Sequence, residues 1–523
     1  MSRPDAAGSR DRLSPPVRAL LGQAEETPDR TVLVVGQEKW SSQRLAEQAR
    51  RLAAGLAARD VRPGDRVALH LQNTAEAVLG YLACLRLGAV AVPMSTRLAT
   101  PELLGLVART QPKIYLGQHD TYARFAAVPE TLVRSDCRFL SGPAEAGADA
   151  APWPDLVADD AGLVDAEPDP RAAAILLATS GTTGASKIVI YTHRMLAALG
   201  LSAAGRGIGK GDVIPLMTPL MHCAAVYGLF NALMQGATAV LIRQFDAARA
   251  LEAIERDGIT SIFAPPFMHA ALTQEQQSNP RDINTLRFAI VAGDVCPVRV
   301  EADFERVFRI PLLSCWAATE DVGVMIADTR VGPYMKVLPG ARAEVIRPDG
   351  QKAGRGEVGE LLTSSPTTSP GYWRGAADYT PLPGGVFRTG DLVRELSPGL
   401  LQYMGRVKDL IVRGGSNISP QEVEDVLRAH PDVVDAGVAG YPDDVLGQRV
   451  GALITLADRT PSAPSAEEIR NWASQKLADY KVPERIRTVQ AVPRNALTKT
   501  DRAAITAALT IPKKESAEAW ARR

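Results

Sequence analysis

The segment TSGTTGASK, residues 179 to 187, packs hydroxyls, two glycines and a terminal lysine between two apolar runs, AAAILLA and IVIY. Gly181 and Gly184 permit positive φ and close backbone approach. Thr179, Ser180, Thr182 and Thr183 supply hydroxyls, and Lys187 adds a fixed positive charge. A loop of this make-up can wrap phosphate oxygens. A Walker-type loop needs GxxxxGK[ST] running into a helix, whereas the spacing here is GxxGxxK followed by a strand-like run, so that motif is rejected. A hydroxyl-rich surface turn has the same composition, and the segment alone does not separate the two.

The elements around the loop read as alternating strand and helix. DRVALHL, AEAVLGYLACLRLG and AVAVPM follow one another from about residue 60, and the same grammar returns in TAVLI, ARALEAIERDG and ITSIFAPP, then in LRFAIVAG and VRVEADFERVF. This pattern predicts an α/β protein with a large N-terminal body of doubly wound, largely parallel mixed sheets. Polar, Gly/Pro-rich stretches at 141 to 170 and 363 to 385 read as loops. Beyond about residue 405 the texture changes to a short βααββαβ-like region, which predicts a small, mobile α+β C-terminal domain. The expected division is a loose leader over 1–15, an N-terminal domain over 16–405 and a C-terminal lid over 406–523.

Composition narrows the class. With 523 residues the chain exceeds what one hydrophobic core supports. Lys plus Arg (59) balance Asp plus Glu (59), which removes the electrostatic footprint of a nucleic-acid binder. The five cysteines are odd in number and lack CxxC spacing, so they favour a reducing, cytoplasmic setting over a disulfide framework or a zinc site. The polar N-terminus has no apolar core of a signal peptide. The uncharged stretch 224 to 242 has the length of a membrane span. Asn231, Gln235 and Gly236 nevertheless divide it into a buried helix, a turn and a strand.

Five further segments come after the loop in order: PLMHCAAVYG (219–228), SCWAATE (314–320), FRTGD (387–391), GRVKDLIVRGGSNISPQEVE (405–424) and PRNALTKTDR (493–502). Together with the loop they resemble the motifs of the ANL superfamily of adenylate-forming enzymes over roughly residues 30 to 510. The closest branch is that of the AMP-forming acyl-CoA synthetases. The resemblance implies activation of a carboxylic acid by ATP, giving an acyl-adenylate and pyrophosphate, then acyl transfer to CoA. A stand-alone amide synthetase, in which an amine attacks the adenylate, is the alternative. A catalytically silent nucleotide binder is disfavoured by Glu320, Asp391, Lys408 and Lys499.

The resemblance also implies roles. Thr179, Ser180, Gly181, Thr182, Thr183, Gly184 and Lys187 would hold the β- and γ-phosphates. Thr319 would hydrogen-bond the α-phosphate, and Glu320 would ligate Mg²⁺, a hard cation that prefers carboxylate and phosphate oxygens. Trp316 would stack on adenine, with Gly293 and Asp294 lining the base. Asp391 would accept from both ribose hydroxyls, and Arg406 would grip ribose or phosphate. Lys499 would bridge the substrate carboxylate and the α-phosphate. His222 would stand between acyl pocket and nucleotide, with Ala225, Tyr227 and Gly228 on the pocket wall. Lys408 would be the hinge, and Gly414 and Gly415 would admit a pantetheine arm. Taken singly, Trp316 and His222 also read as core residues, and Glu320 and Lys499 as solvated ones. Two departures stand out: Ser186, Lys187 and Ile188 replace the family's Pro-Lys-Gly, and Trp316-Ala317 replaces its Tyr-Gly.

Overall fold

A computed structural model describes residues 12–142, 149–158, 163, 165–179, 187–204, 208–293, 295–326, 333–375, 378–413, 416–443, 445–457, 463–494 and 500–510. The chain forms two compact units: residues 1–332, 337–342 and 363–387, and residues 333–336, 343–362 and 388–523.

In the first unit the sequence's βαβ grammar becomes parallel pairing. Strand Arg66–His70 lies between Val90–Pro93 and Ile114–Gln118, parallel to both. The helix between the first two, Ala75–Leu87, is buried at every position but Glu76, and its sequence is accordingly apolar apart from Glu76 and Arg86, which pairs with Asp165. It stops at Gly88, whose φ of 65° is the left-handed cap that glycine adopts without strain. The sheet holds nine strands and is mixed, because Ala173–Ala178 pairs in parallel with Val90–Pro93 but antiparallel with Ile188–Thr192. Beyond Ile188–Thr192 the sheet continues through Gly371–Gly375 to Asp378–Pro381.

Those last two strands lie inside the stretch 363–385 that composition reads as a loop. Its Gly and Pro content reflects an edge hairpin, where one row of backbone groups needs no ladder partner, and the Tyr372-Trp373 pair is the strand signal within it.

A second sheet of four strands runs in the order Val213–Leu216, Thr238–Leu241, Thr31–Val35, Glu38–Ser41. Further strands of the same unit, Ser261–Ala264, Phe288–Val291 and Leu312–Ala318, pair in parallel in that order. Leu312–Ala318 then turns back antiparallel into Asp321–Ile326. The stretch 224 to 242 is a helix, Cys223–Gln235, a left-handed Gly236 and a strand, Thr238–Leu241. Among the described residues no helix is long and apolar enough to cross a membrane. Helices Ser42–Ala58, Ala75–Leu87 and Cys223–Gln235 share one apolar cluster that includes Leu52, Leu82, Leu229 and Phe230. Truncating any of these leucines to alanine removes about 2–5 kcal/mol.

In the second unit Phe387–Ser397 and Leu400–Arg406 form a long antiparallel pair. The order of elements from residue 411 corrects the βααββαβ-like reading. The short strands Ile411–Arg413 and Ser416–Ile418 pair antiparallel before the single helix Pro420–Arg428. Val433–Asp443 and Gly447–Leu456 come next as a ten-residue ladder, with Arg485–Thr488 added in parallel. A Gly-Gly step between two short runs, IVR and SNI, is a hairpin signal, which accounts for the additional strand. The core of this sheet is formed by Ile411, Val423, Leu427, Val438, Val450 and Ile469.

Candidate functional site

The glycine-rich loop spans the ends of two antiparallel strands in the first unit. Ala178 and Ile188 are paired, and the Thr179 amide donates to the Lys187 carbonyl at 2.8 Å, with the Thr179 hydroxyl at 3.3 Å from the same oxygen. The loop is therefore tied at its base. Ser180, Gly181, Thr182, Thr183, Gly184 and Ser186 lie outside the described residues, as do Asp294, Gly414, Gly415 and Lys499.

Lys187 leaves the loop exposed and places its Nζ 4.7 Å from the centroid of the Tyr372 ring. Register explains this contact. Tyr372 pairs with Val189 across the sheet, so Lys187, two residues before Val189, is its diagonal neighbour on the same face. The Tyr372 hydroxyl donates to Glu320 Oε1 at 2.9 Å. Burial first, then the adjacent Glu320 charge, push the phenol's pKa up, so it remains a donor.

Thr319 and Glu320 are the two residues of the turn joining Leu312–Ala318 to Asp321–Ile326, where Ala318 pairs with Asp321. The turn is pinned from several sides. The Ser369 amide donates to the Glu320 carbonyl at 2.8 Å, and Asp321 bridges to Thr368. Asp321 itself is buried and accepts from Ser365 Oγ at 2.5 Å and Thr367 Oγ1 at 3.3 Å. Burial raises its pKa although these hydroxyls oppose the shift. Trp316 is on the strand leading into the turn and is 8% exposed, so its ring is largely within the unit.

His222 occupies the N-cap position of helix Cys223–Gln235, half-buried, and burial lowers its pKa, so the ring is neutral at pH 7. The next residue, Cys223, meets the Thr319 side chain in a hydrogen bond; burial nonetheless pushes its thiol up. The histidine segment and the Thr319-Glu320 turn are thus neighbours. Ala225, Tyr227 and Gly228 are buried on the same helix, and the Cβ of any larger residue at 228 would lie 2.7 Å from Leu216.

Asn73 holds the approach to His222. Its buried amide nitrogen donates to the carbonyls of Leu216 (3.1 Å), Thr218 (2.9 Å) and Ile242 (3.1 Å), and its oxygen accepts from the Leu220 amide at 2.8 Å. Tyr81 adds a hydrogen bond to the Leu220 carbonyl at 2.6 Å. Gly293 succeeds strand Phe288–Val291 with φ of 91°, a left-handed backbone that favours glycine although a Cβ would meet open space.

In the second unit Asp391 and Arg406 face each other across the ladder, with Arg406 Nε 2.5 Å from Asp391 Oδ1. Burial opposes the guanidinium charge, but Asp391 outweighs it and raises the Arg406 pKa. The Asp391 amide donates to Thr389 Oγ1 at 2.9 Å, and that hydroxyl donates to the Leu361 carbonyl at 2.8 Å. Lys408 sits in the 3₁₀ turn Val407–Asp409. Gly405 before it has φ of 124°, and a Cβ there would lie 2.7 Å from Ser419 Oγ.

Arg494 and Thr500, which flank Lys499 in sequence, form an antiparallel bridge. Arg502 then ties the start of helix Arg502–Thr510 to the rest of the unit: its Nε lies 3.2 Å from Asp409 Oδ2, and its Nη1 2.6 Å from Oε1 of the buried Glu424. Tyr372 and Asn73 lie outside the motif segments, and Cys223 and Arg502 lie within them at positions to which the motifs gave no role. For Tyr372 a signal existed in the aromatic pair of the edge hairpin. The others depend on contacts over long sequence separations.

Comparison with known proteins gives a single direction. Residues 20–373 match the family model of the AMP-binding enzymes and residues 422–499 that of the AMP-binding enzyme C-terminal domain. The chain is 30% identical over 492 residues to the 2-succinylbenzoate–CoA ligase of Bacillus subtilis, covering 92% of this chain and 95% of that protein. It is 30% identical over 482 residues to a feruloyl-CoA synthase of an Amycolatopsis species, covering 90% and 94%. The o-succinylbenzoate CoA synthetase of Bacillus subtilis, solved with its acyl-adenylate intermediate, superposes with a TM-score of 0.77 at 28% identity over 93% of this chain and 97% of that one. The amide bond synthetase of Marinactinospora thermotolerans gives 0.84 at 25% identity, over 95% and 99%. With both family domains in order and relatives aligned over nearly its whole length, the chain belongs to the AMP-binding enzymes, the adenylate-forming ligases of the ANL superfamily.

Proposed function

We propose that this protein activates a carboxylic acid with ATP, forming an acyl-adenylate and releasing pyrophosphate, and then transfers the acyl group to CoA. The observation that carries the reading is the grouping of Lys187, Tyr372 and Glu320, which sets a cation and a carboxylate beside the base of the glycine-rich loop. Displacement at the α-phosphorus needs neutralisation of charge on phosphate oxygens, and positive groups fixed beforehand supply it.

The residues fit Mg²⁺. Among the described residues no group of three or more His, Cys, Asp or Glu could enclose a metal, so Glu320 offers a single carboxylate. Mg²⁺ is commonly held by one or two carboxylates together with phosphate oxygens and water. When bound it neutralises phosphate charge. In this reading Thr319 donates to the α-phosphate, Trp316, Gly293 and Asp294 receive the adenine, and Asp391 with Arg406 receives the ribose. Lys499 orients the substrate carboxylate against the α-phosphate, and the neutral His222 yields to the incoming nucleophile. Lys408 is the pivot between an N-terminal domain ending near 405 and a C-terminal domain beginning at 406. The five cysteines, free among the described residues, fit a reducing cytoplasmic setting.

ATP–pyrophosphate exchange measured across a panel of carboxylic acids tests the first step; no acid-dependent exchange with any acid would sink the reading. The acceptor is tested separately. CoA requires a thin path past Gly414 and Gly415, which side chains would obstruct. Gly415→Leu should leave exchange nearly intact and sharply reduce CoA-dependent turnover. The similarity to the amide bond synthetase favours the second reading. Wild-type protein that consumes acyl-adenylate with simple amines, ignores CoA and tolerates Gly415→Leu would establish that alternative.

A further inference from the structure

Glu320 is held at both its backbone and its side chain by one short segment, residues 368–372. Asp321 bridges to Thr368, the Ser369 amide bonds the Glu320 carbonyl, and the Tyr372 hydroxyl bonds Oε1. The segment is itself fixed. Ser369 Oγ donates to the Ile190 carbonyl at 2.9 Å and accepts from the Gly371 amide at 3.1 Å. At Gly371 the backbone has φ of 155°, and a Cβ would stand 2.1 Å from the Thr380 carbonyl oxygen. Tyr372 therefore has little freedom to follow Glu320 if the carboxylate moves. The carboxylate must come to the hydroxyl.

We propose that Tyr372 is the positioning residue for the metal-binding carboxylate: its hydroxyl occupies Glu320 Oε1 and presents Oε2 to the cation, while its ring seats the Lys187 ammonium. This rests on the proposed role of Glu320 in ATP activation. The arrangement has a chemical consequence. An unrestrained carboxylate can take a cation through both oxygens, whereas one whose Oε1 accepts from a fixed phenol offers one oxygen and leaves more of the cation's coordination sphere for phosphate. The ring's negative face attracts Lys187 Nζ and limits where that charge can stand. One side chain thus sets both the cation-binding carboxylate and the lysine at the loop's exit.

Two substitutions separate the two functions of the side chain. Tyr372→Phe removes the hydroxyl and retains the ring. Its binding of ATP without metal, followed by calorimetry in EDTA, should match wild type, whereas the Mg²⁺ concentration needed to strengthen that binding should rise about tenfold, the range for a hydrogen bond to a charged group. Tyr372→Leu should show the same metal defect and also weaken metal-free ATP binding. In the background of Glu320→Gln, adding Tyr372→Phe should change the Mg²⁺ requirement by less than about twofold, since the carboxylate being positioned is gone.

An unchanged Mg²⁺ requirement in Tyr372→Phe would overturn the proposal, as would equal weakening of ATP binding with and without metal, the mark of a merely structural role. If Tyr372→Leu does not fold, the phenylalanine variant and its double-mutant cycle still decide. These are binding measurements, so they remain decisive even if acid-dependent pyrophosphate exchange fails and the reaction must be reassigned.

Discussion

Arg502 donates to the buried carboxylate of Glu424 at 2.6 Å while its Nε lies 3.2 Å from Asp409, the residue after Lys408. The guanidinium thus links the chain just beyond Lys499 to the turn that contains the proposed pivot. Burial works against the charge on Arg502, yet Glu424 and Asp409 raise its pKa on balance. Removing the arginine leaves Glu424 buried with less compensation. Arg502→Met should lower the stability of the second unit by about 3 kcal/mol, and adding Glu424→Gln should restore most of it. Pulse proteolysis of the full chain in urea measures both, and a single variant as stable as wild type would contradict the assignment.

Asp391 and Glu320 should fail in different ways. Asp391→Ala strands Arg406 opposite an empty position; it should raise the ATP concentration for half-maximal exchange by about tenfold or more and erase any preference for ATP over 2′-deoxy-ATP. Glu320→Gln should instead raise the Mg²⁺ requirement and leave sugar preference alone. Unchanged sugar selectivity in Asp391→Ala would remove that residue from the site.

The half-reactions separate Lys499 from Lys408. Lys499→Ala should reduce acyl-adenylate formation by about 100-fold while still converting supplied acyl-adenylate to product. Lys408→Pro fixes φ in the turn Val407–Asp409, so adenylation should persist and transfer collapse. Equal loss of both steps in the alanine variant, or normal turnover in the proline variant, would count against these roles.

Acid should destabilise the first unit through its buried histidines. The imidazoles of His70 and His269 have pKa values lowered by burial from 6.5 to about 4. Between those values the unfolded chain binds more protons than the folded one, so stability falls as pH drops from about 6.5 toward 4. Each ring accounts for about 3 kcal/mol across that window. Urea denaturation at pH 7 and pH 5 reads the slope, and replacing His269 by Gln should flatten it. A pH-independent midpoint over this interval would refute the assignment.

The residues that sequence made legible are those whose chemistry is local. The hydroxyl-and-glycine loop, the alternation of strands and helices, and the Gly236 break within 224–242 each depend on neighbours within a few positions. Tyr372 lay hidden because an edge hairpin has the polar, Gly/Pro-rich composition of a loop, and because its contact with Glu320 joins positions 52 apart. Arg502 and Glu424 are 78 apart, and nothing in either sequence neighbourhood announces the pair. The hairpin at 411–418 shows the reverse case: a Gly-Gly step after LIV is a local signal, but the strand it leads to, Ser416–Ile418, is only three residues long.

Asn73 bears on how the chain is put together in time. Its carboxamide satisfies the Leu220 amide and three carbonyls, yet 147 residues separate Asn73 from Leu220. A ribosome making the chain from its N-terminus completes Asn73 long before the segment that docks on it. The turn holding Asn73 can form with strand Arg66–His70 and helix Ala75–Leu87 as soon as these emerge, because their contacts are local. The stretch from Leu216 to His222 depends on that turn for several of its backbone partners, since Asn73 takes the Leu216 and Thr218 carbonyls and the Leu220 amide. The stretch that leads to His222 is therefore completed against a side chain that the ribosome has made 147 residues earlier.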